Sequence, residues 1–143
     1  MKELHGLMNR QVANFALFFT KLHHFHWFVT GRVFFILHEK FESLYDEVNE
    51  LYDAYAERLI MIGGIPSSSM SAYLLQSSIK ETSTIDPKKM VDEVIQDLEL
   101  LVKEQKELTH LAQANQDEQT ADLTIQTVAA FEKHLWMLKA FNK

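Results

Sequence analysis

The chain is short of the residues that end helices and turn strands. Four glycines and two prolines stand among 143 residues, where average usage of about 7% Gly and 5% Pro would supply nearly three times as many. Apart from Gly6 they sit at Gly31, at Gly63, Gly64 and Pro66, and at Pro87, and residues 32–62 contain neither type. A β-sandwich or barrel needs a turn signal roughly every 8 to 12 residues. That spacing excludes all-β architectures and most α/β ones, and leaves long helices.

The pieces between these stops carry helical periodicity. Leu4, Met8, Val12, Phe15, Phe19, Leu22 and Val29 form one apolar stripe, with His26 in the slot between its last two members. Phe34, Leu37, Phe41, Leu44, Val48, Leu51, Tyr55, Leu59 and Ile62 form a second, closed by Gly63. Residues 65–86 are rich in Ser and Thr and read as a long connection with one short helix over the apolar patch Met70–Leu75. Asp86 followed by Pro87 is a helix start, an N-cap with Pro at the first helical position. Met90, Val94, Leu98, Leu101 and Leu108 continue from it; a polar interval from Gln113 to Thr120 interrupts; and Leu123, Val128, Phe131, Leu135 and Leu138 complete a last helix. The expectation is all-α: a four-helix bundle of the ferritin-like kind, with a long connection between helices 2 and 3.

Composition narrows the rest. The length suits one domain spanning 1–143, large enough to bury a core without staples. There is no cysteine, which removes disulfides, thiolate metal sites and thiol nucleophiles. The formal net charge of −6 argues against a nucleic-acid or anionic-membrane partner, since both need clustered cations. No apolar run is long enough to span a bilayer, so the default compartment is the cytoplasm.

The second helix has two working faces. At 100° per residue, the stripe from Phe34 to Ile62 stays within about 60° of Val48. A second sector, about 80° to 180° around, holds His38, Glu42, Asp53 and Glu57 beside Phe35, Asn49, Ala56 and Ile60. A hydrated face does not carry Phe and Ile among its acids. Lys40, Ser43, Glu47, Glu50, Ala54 and Arg58 form the remaining sector, which reads as water-facing. His38/Glu42 and Asp53/Glu57 are each i,i+4 pairs able to converge on one ion, yet His38 and Asp53 lie ~22 Å apart on a straight helix. One chain cannot bring both pairs to one metal through this helix. An antiparallel copy can, because the pairs 38/57 and 42/53 share one midpoint, between Glu47 and Val48. A two-fold axis there sets each His38 and Glu42 opposite the partner's Asp53 and Glu57, the isologous pattern of a two-fold dimer. Imidazole and carboxylate together suit iron, zinc or manganese better than magnesium or calcium. His26, on the first helix, is placed to add a second imidazole.

Plainer readings stand beside these. Acids at i,i+4 are most often a hydrated surface, and a single His26 in an apolar stripe is more often a hydrogen-bonded core residue than a ligand. His23 and His24 receive no ligand role. Glu107 with His110 matches the Glu-x-x-His element of bundle di-iron proteins, but only one copy occurs, so it reads as surface.

The residue words themselves resemble a known family. Lys21-Leu22-His23-His24-Phe25-His26-Trp27, Gly31, Phe34-Phe35, Leu37-His38-Glu39-Lys40-Phe41, Leu44-Tyr45, Asp53, Ala56-Glu57-Arg58-Leu59, Gly63-Gly64 with Pro66, Lys133-His134 and Trp136-Met137 resemble the Dps family, the mini-ferritins of bacteria, along essentially the whole chain. The resemblance implies a dodecameric shell of four-helix bundles built on two-fold dimers. It implies ferroxidase centres at those interfaces, with His26, His38 and Glu42 from one subunit and Asp53 and Glu57 from its partner. The family allows Asp where this chain has Glu42, whose extra methylene changes its reach. Trp27 matches a tryptophan that lies beside the centre in many members, and reads equally as an interface aromatic.

The activity so implied is oxidation of Fe(II) to Fe(III) by hydrogen peroxide or dioxygen, storage of ferric mineral in the shell, and protection from oxidative damage, with zinc or manganese as competing ions. Acidic residues line entry pores in the family, and Asp117, Glu118 and Asp122 are the candidates here. Many members also compact DNA through a Lys-rich terminal extension, which is the rival function. This sequence begins Met1-Lys2-Glu3 and ends Asn142-Lys143. A twelve-chain shell would carry a formal charge of about −72, which repels phosphate. Direct DNA binding and association with a bacterial nucleoid are therefore not expected. A third reading keeps the bundle as a metal-free interaction module.

Overall fold

A computed structural model describes all 143 residues as five helices and no strand: α1 (Lys2–Phe28), α2 (Phe34–Met61), α3 (Met70–Gln76), α4 (Pro87–Ala114) and α5 (Glu118–Phe141). α1 packs along α2 and α4 along α5; α1 also touches α4, and α3 lies against α1. The four long helices enclose 29 buried apolar residues, with Phe15, Phe18, Phe25, Phe41, Tyr55 and Phe131 the largest side chains. Phe15 meets Tyr55 edge-on at a centroid distance of 5.0 Å and Phe131 at 6.4 Å, so one ring joins α1, α2 and α5.

The helix ends follow local chemistry. The Asp86 side chain accepts from Lys88 N at 3.2 Å behind Pro87, as its sequence signature implies. α2 stops at a Schellman motif: Gly64 N donates to Leu59 O at 2.8 Å and Gly63 N to Ile60 O at 3.0 Å. Gly63 has φ +88°, and a Cβ on Gly64 would fall 2.3 Å from Leu59 Cδ1, so each glycine is required for a different reason. α4 ends in the same motif. Asp117 N donates to Ala112 O and Gln116 N to Gln113 O, but the left-handed position is taken by Gln116 at φ 58°. Because no glycine marks that stop, the polar interval from Gln113 to Thr120 reads as a wide break. The helices in fact leave only residues 115–117 between them.

The long connection is tied down along its length. Asn14 Oδ1 accepts from Ser78 N at 2.7 Å, Lys21 Nζ donates to Lys80 O at 2.8 Å, and His24 Nε2 donates to Thr84 O at 2.9 Å. Lys21 also pairs with Asp97 of α4 at 2.8 Å. A belt of buried amides crosses the bundle: Gln105 Nε2 donates to Gln11 Oε1, Gln11 Nε2 to Glu104 Oε1, and the Tyr55 hydroxyl to Gln105 Oε1. Buried polar groups left unpaired would cost about 1–3 kcal/mol each, so this belt fixes how the helices slide against one another.

One expectation is corrected. The sector of α2 read as water-facing is partly a polar seam with α5. Lys40 Nζ donates to His134 Nδ1 at 3.0 Å and His134 Nε2 donates to Glu47. Arg58 Nη2 pairs with Asp117 at 2.9 Å. The hydrogen bond from His134 holds the Glu47 carboxyl below its ordinary range, against the opposing effect of burial. Residues of high polarity looked solvated in sequence because their partners lie 59 to 94 positions away.

Candidate metal centre

Gly31, at φ +93°, turns the chain between α1 and α2 and brings the end of the first helix beside the start of the second. There two histidines lock each other. His26 Nδ1 lies 2.7 Å from His38 O, and His38 Nδ1 lies 2.8 Å from His26 O. A carbonyl only accepts, so each Nδ1 carries a proton, and in the neutral imidazole the lone pair is on Nε2. The rings stack at 3.7 Å and 12°, and Phe34 stacks on the far side of His38 at 4.9 Å. The lock also does service for α1. Its last four carbonyls have no intrahelical partner, and His38 satisfies one of them. The same end of α1 carries the negative pole of the helix dipole, which favours a cation.

Glu42 reaches the pair from the next turn of α2, with Oε1 3.8 Å from His26 Nε2. His26 is buried, His38 half-buried and Glu42 exposed, so the three run from the packed interior to the surface. Asp53 and Glu57 lie exposed farther along the same face. Within one chain no three His, Asp or Glu side chains converge closely enough to hold an ion. One chain thus supplies an imidazole pair with one nearby carboxylate at one end of α2, and a separate carboxylate pair at the other.

Large apolar side chains stand uncovered beyond the outer ends of these two clusters. Phe35 is 81% exposed and Ile60 60%; Trp27, one residue after His26, is 67% exposed. A groove of about 450 Å³ continues this surface between α1 and α3, lined by Trp27, Phe28, Met70, Tyr73 and Leu74. Large apolar side chains left exposed along the ligand-bearing face mark an interaction surface.

Two aromatic neighbours of the histidines carry no metal-ligand signature in the sequence. Tyr45 stands edge-on to His26 at 5.3 Å, and His23 stacks on Tyr45 at 3.7 Å. Tyr45 is seven residues after His38, two turns along the same helix, which is the one sequence signal that could have drawn attention to it. Of the pore candidates, Asp117 is buried at 7% exposure and caps α5. Its Oδ1 accepts from Thr120 N at 3.0 Å and from Arg58, and its Oδ2 accepts from Thr120 Oγ1. Its carboxylate is committed inside the chain, whereas Glu118 and Asp122 are exposed.

Comparison with known proteins agrees with this architecture. A model of the ferritin-like domain matches residues 6–143. The "DNA protection during starvation protein 2" of Bacillus anthracis is 44% identical over 98% of this chain and 97% of its own length. A "DNA protection during starvation protein" of Brevibacillus brevis is 47% identical over 94% of this chain and 91% of its own. Among solved structures, Dps from Bacillus brevis superposes with a TM-score of 0.96 at 44% identity, covering 99% of this chain and 96% of that one. Dps from Staphylococcus aureus gives 0.97 at 35%, covering 100% and 97%. Dps from Listeria innocua soaked with zinc gives 0.94 at 38%, covering 96% and 94%. With ligand-type residues, bundle, crossover and relatives in agreement, the chain belongs to the Dps family of ferritin-like proteins.

Proposed function

We propose that this protein is a ferroxidase and iron store, assembled as a hollow dodecamer in which each centre is shared by two chains. Fe(II) is the substrate. The observation that carries the reading is the reciprocal lock of His26 and His38, which fixes both tautomers and leaves two Nε2 lone pairs free beside Glu42. An imidazole held by a carbonyl at Nδ1 is the ordinary state of a ligating histidine. Asp53 and Glu57 of a two-fold partner complete the set, since they share with His38 and Glu42 a midpoint on α2. The exposed Phe35 and Ile60 give the two chains an apolar contact at the outer end of each shared site.

The chemistry follows from the donor set. Carboxylates neutralise charge and favour Fe(III) over Fe(II), which drives electrons out of the ion. Two Fe(II) ions each give one electron to hydrogen peroxide; its O–O bond breaks, two protons are taken up, and two waters leave. Spending both electrons together avoids release of hydroxyl radical. Ferric product passes to the interior as mineral, with Glu118 and Asp122 as candidate entry-pore residues. Trp27 stands next to His26 in sequence and is proposed to lie beside the centre. Zinc or manganese suits the same ligands and would compete with iron.

Peroxide-driven Fe(II) oxidation tests this reading. His38→Ala lowers the rate by about tenfold or more. Because that change also removes a tether to α1, Glu57→Gln serves as a second variant: Glu57 is exposed in the single chain, so the fold is undisturbed while a ligand is lost. Native rates in both variants overturn the assignment.

A further inference from the structure

Polar contacts join α2 to α5 at three levels. Near the end of α2, Arg58 donates to Thr120 Oγ1 at 2.9 Å and pairs with Asp117. In the middle, the buried Tyr55 hydroxyl lies 2.9 Å from Thr127 Oγ1. Toward the start of α2, His134 of α5 stands between Lys40 and Glu47. The first two levels keep their charge state around neutral pH. The Arg58 guanidinium does not give up its proton, the Asp117 carboxyl is held below its ordinary range, and burial pushes the Tyr55 hydroxyl well above its own. Histidine is the side chain that changes charge between about pH 5 and 8, so the third level alone responds there.

The partners of His134 fix where its proton sits. An ammonium has hydrogens to donate and no lone pair, so the contact of Lys40 Nζ with His134 Nδ1 at 3.0 Å requires the lone pair on Nδ1. The ring hydrogen is then on Nε2, where it is donated to Glu47, and the ring is neutral although a carboxylate touches it. A second proton can enter only at Nδ1. Arriving there, it takes the lone pair that Lys40 uses and sets two cations face to face, while the bond to Glu47 survives and gains a charge. Lys133 stands near as a third cation: burial lowers the Lys40 amine below its ordinary range, against the opposing pull of Glu47, and Lys133 adds to the lowering. The charges that α4 turns to α5 are engaged elsewhere, Glu99 with Lys139 and Lys106 with Glu132. His134 and Glu47 are half-buried, so solvent protons have access to the ring.

We propose that His134 is a proton-operated latch between α2 and α5: neutral, it bridges Lys40 and Glu47; protonated, it keeps Glu47 and releases Lys40. Acid then loosens the seam from one end. That end borders an open groove of about 450 Å³ lined by Ile36, Leu37, Lys40, Met137, Leu138 and Phe141, so apolar packing leaves a gap beside the latch. The other end, held by Arg58 and Asp117, stays closed.

Hydrogen exchange read by mass spectrometry on the assembled protein tests this at pH 8 and pH 5, with rates corrected for the intrinsic pH dependence of amide exchange. In the native protein, protection over residues 131–141 is expected to fall severalfold at pH 5 while protection over residues 118–127 holds. The amide of His134→Gln offers an acceptor and a donor but takes no proton, so this variant is expected to match native protection at pH 8 and to lack the fall at pH 5. No fall in the native protein, an equal fall at both ends of α5, or the same fall in His134→Gln overturns the proposal. Crystal structures of the native protein at the two pH values decide the matter independently of how the variant folds. Lys40 Nζ is expected to leave His134 Nδ1 at pH 5 while His134 stays on Glu47; a Lys40 contact retained at pH 5 overturns the latch.

Discussion

At the scale of single residues, the centre depends on side chains whose protons are assigned by what they touch. His26 and His38 each spend Nδ1 on the other's backbone carbonyl, so in the neutral rings the lone pair faces outward on Nε2. Asp117 shows the same economy put to structural use. Burial works against its charge, but two hydrogen bonds from Thr120 and the Arg58 guanidinium prevail and hold its carboxyl below the ordinary range. A carboxyl depressed in the folded state stabilises the fold above its unfolded value of about 3.9. As pH falls, the unfolded chain protonates first, and the contribution fades until the native carboxylate protonates too. Asp117→Ala is therefore expected to cost about 1–2 kcal/mol at neutral pH through loss of the cap. Asp117→Asn, which still caps, costs less. Urea denaturation at pH 7 and below about pH 4 checks both magnitude and sign, since the gap between native protein and either variant narrows in acid.

At the scale of helices, the stops decide what is visible in sequence. The span of α2 was legible, because Gly31 and the Gly63–Gly64 pair bracket an unbroken stripe, and the two apolar residues among its acids pointed to a second face. The break between α4 and α5 was not, because Gln116 does at φ 58° what glycine does at the end of α2. A left-handed conformation costs a side-chain-bearing residue roughly 1–2 kcal/mol, of which glycine's extra unfolded freedom recovers part. Gln116→Gly should thus stabilise the chain by about 0.5–1 kcal/mol, read as a rise in thermal midpoint; a fall would mean that the Gln116 side chain contributes more than its backbone strain removes. The seam of Lys40, His134 and Glu47 was hidden for another reason. Pairing between helices far apart in sequence has no period, and each partner taken alone looks like surface. Tyr45 was hidden likewise, since an aromatic at a core-like spacing carries no mark of what it stacks on.

At the scale of the whole molecule, the proposed centre needs two chains. Its ligand-type side chains fall into two clusters along α2, one of them joined by His26 of α1, with exposed apolar residues at their outer ends, and nothing within a single chain unites them. The family to which it belongs is built from such chains in shells, and no helix here is long and apolar enough to cross a membrane. The formal charge of −6 per chain works against phosphate polymers. In a gel shift at physiological salt, with chelator present to prevent iron bridging, the assembled protein should leave duplex DNA unretarded; retained complexes would reveal basic patches that outweigh the net charge.

The central claim, that each centre draws its imidazoles from one chain and its distal carboxylates from a two-fold partner, is tested most directly by complementation. His38→Ala and Glu57→Ala chains are each expected to assemble with peroxide-driven Fe(II) oxidation lowered by about tenfold or more. When the two are co-expressed in one particle, every mixed dimer pairs the intact His38 of one chain with the intact Glu57 of the other and regains one whole centre, so activity returns. If mixed particles of verified composition remain as inactive as either variant alone, the centre is not shared across the two-fold axis and the account is wrong.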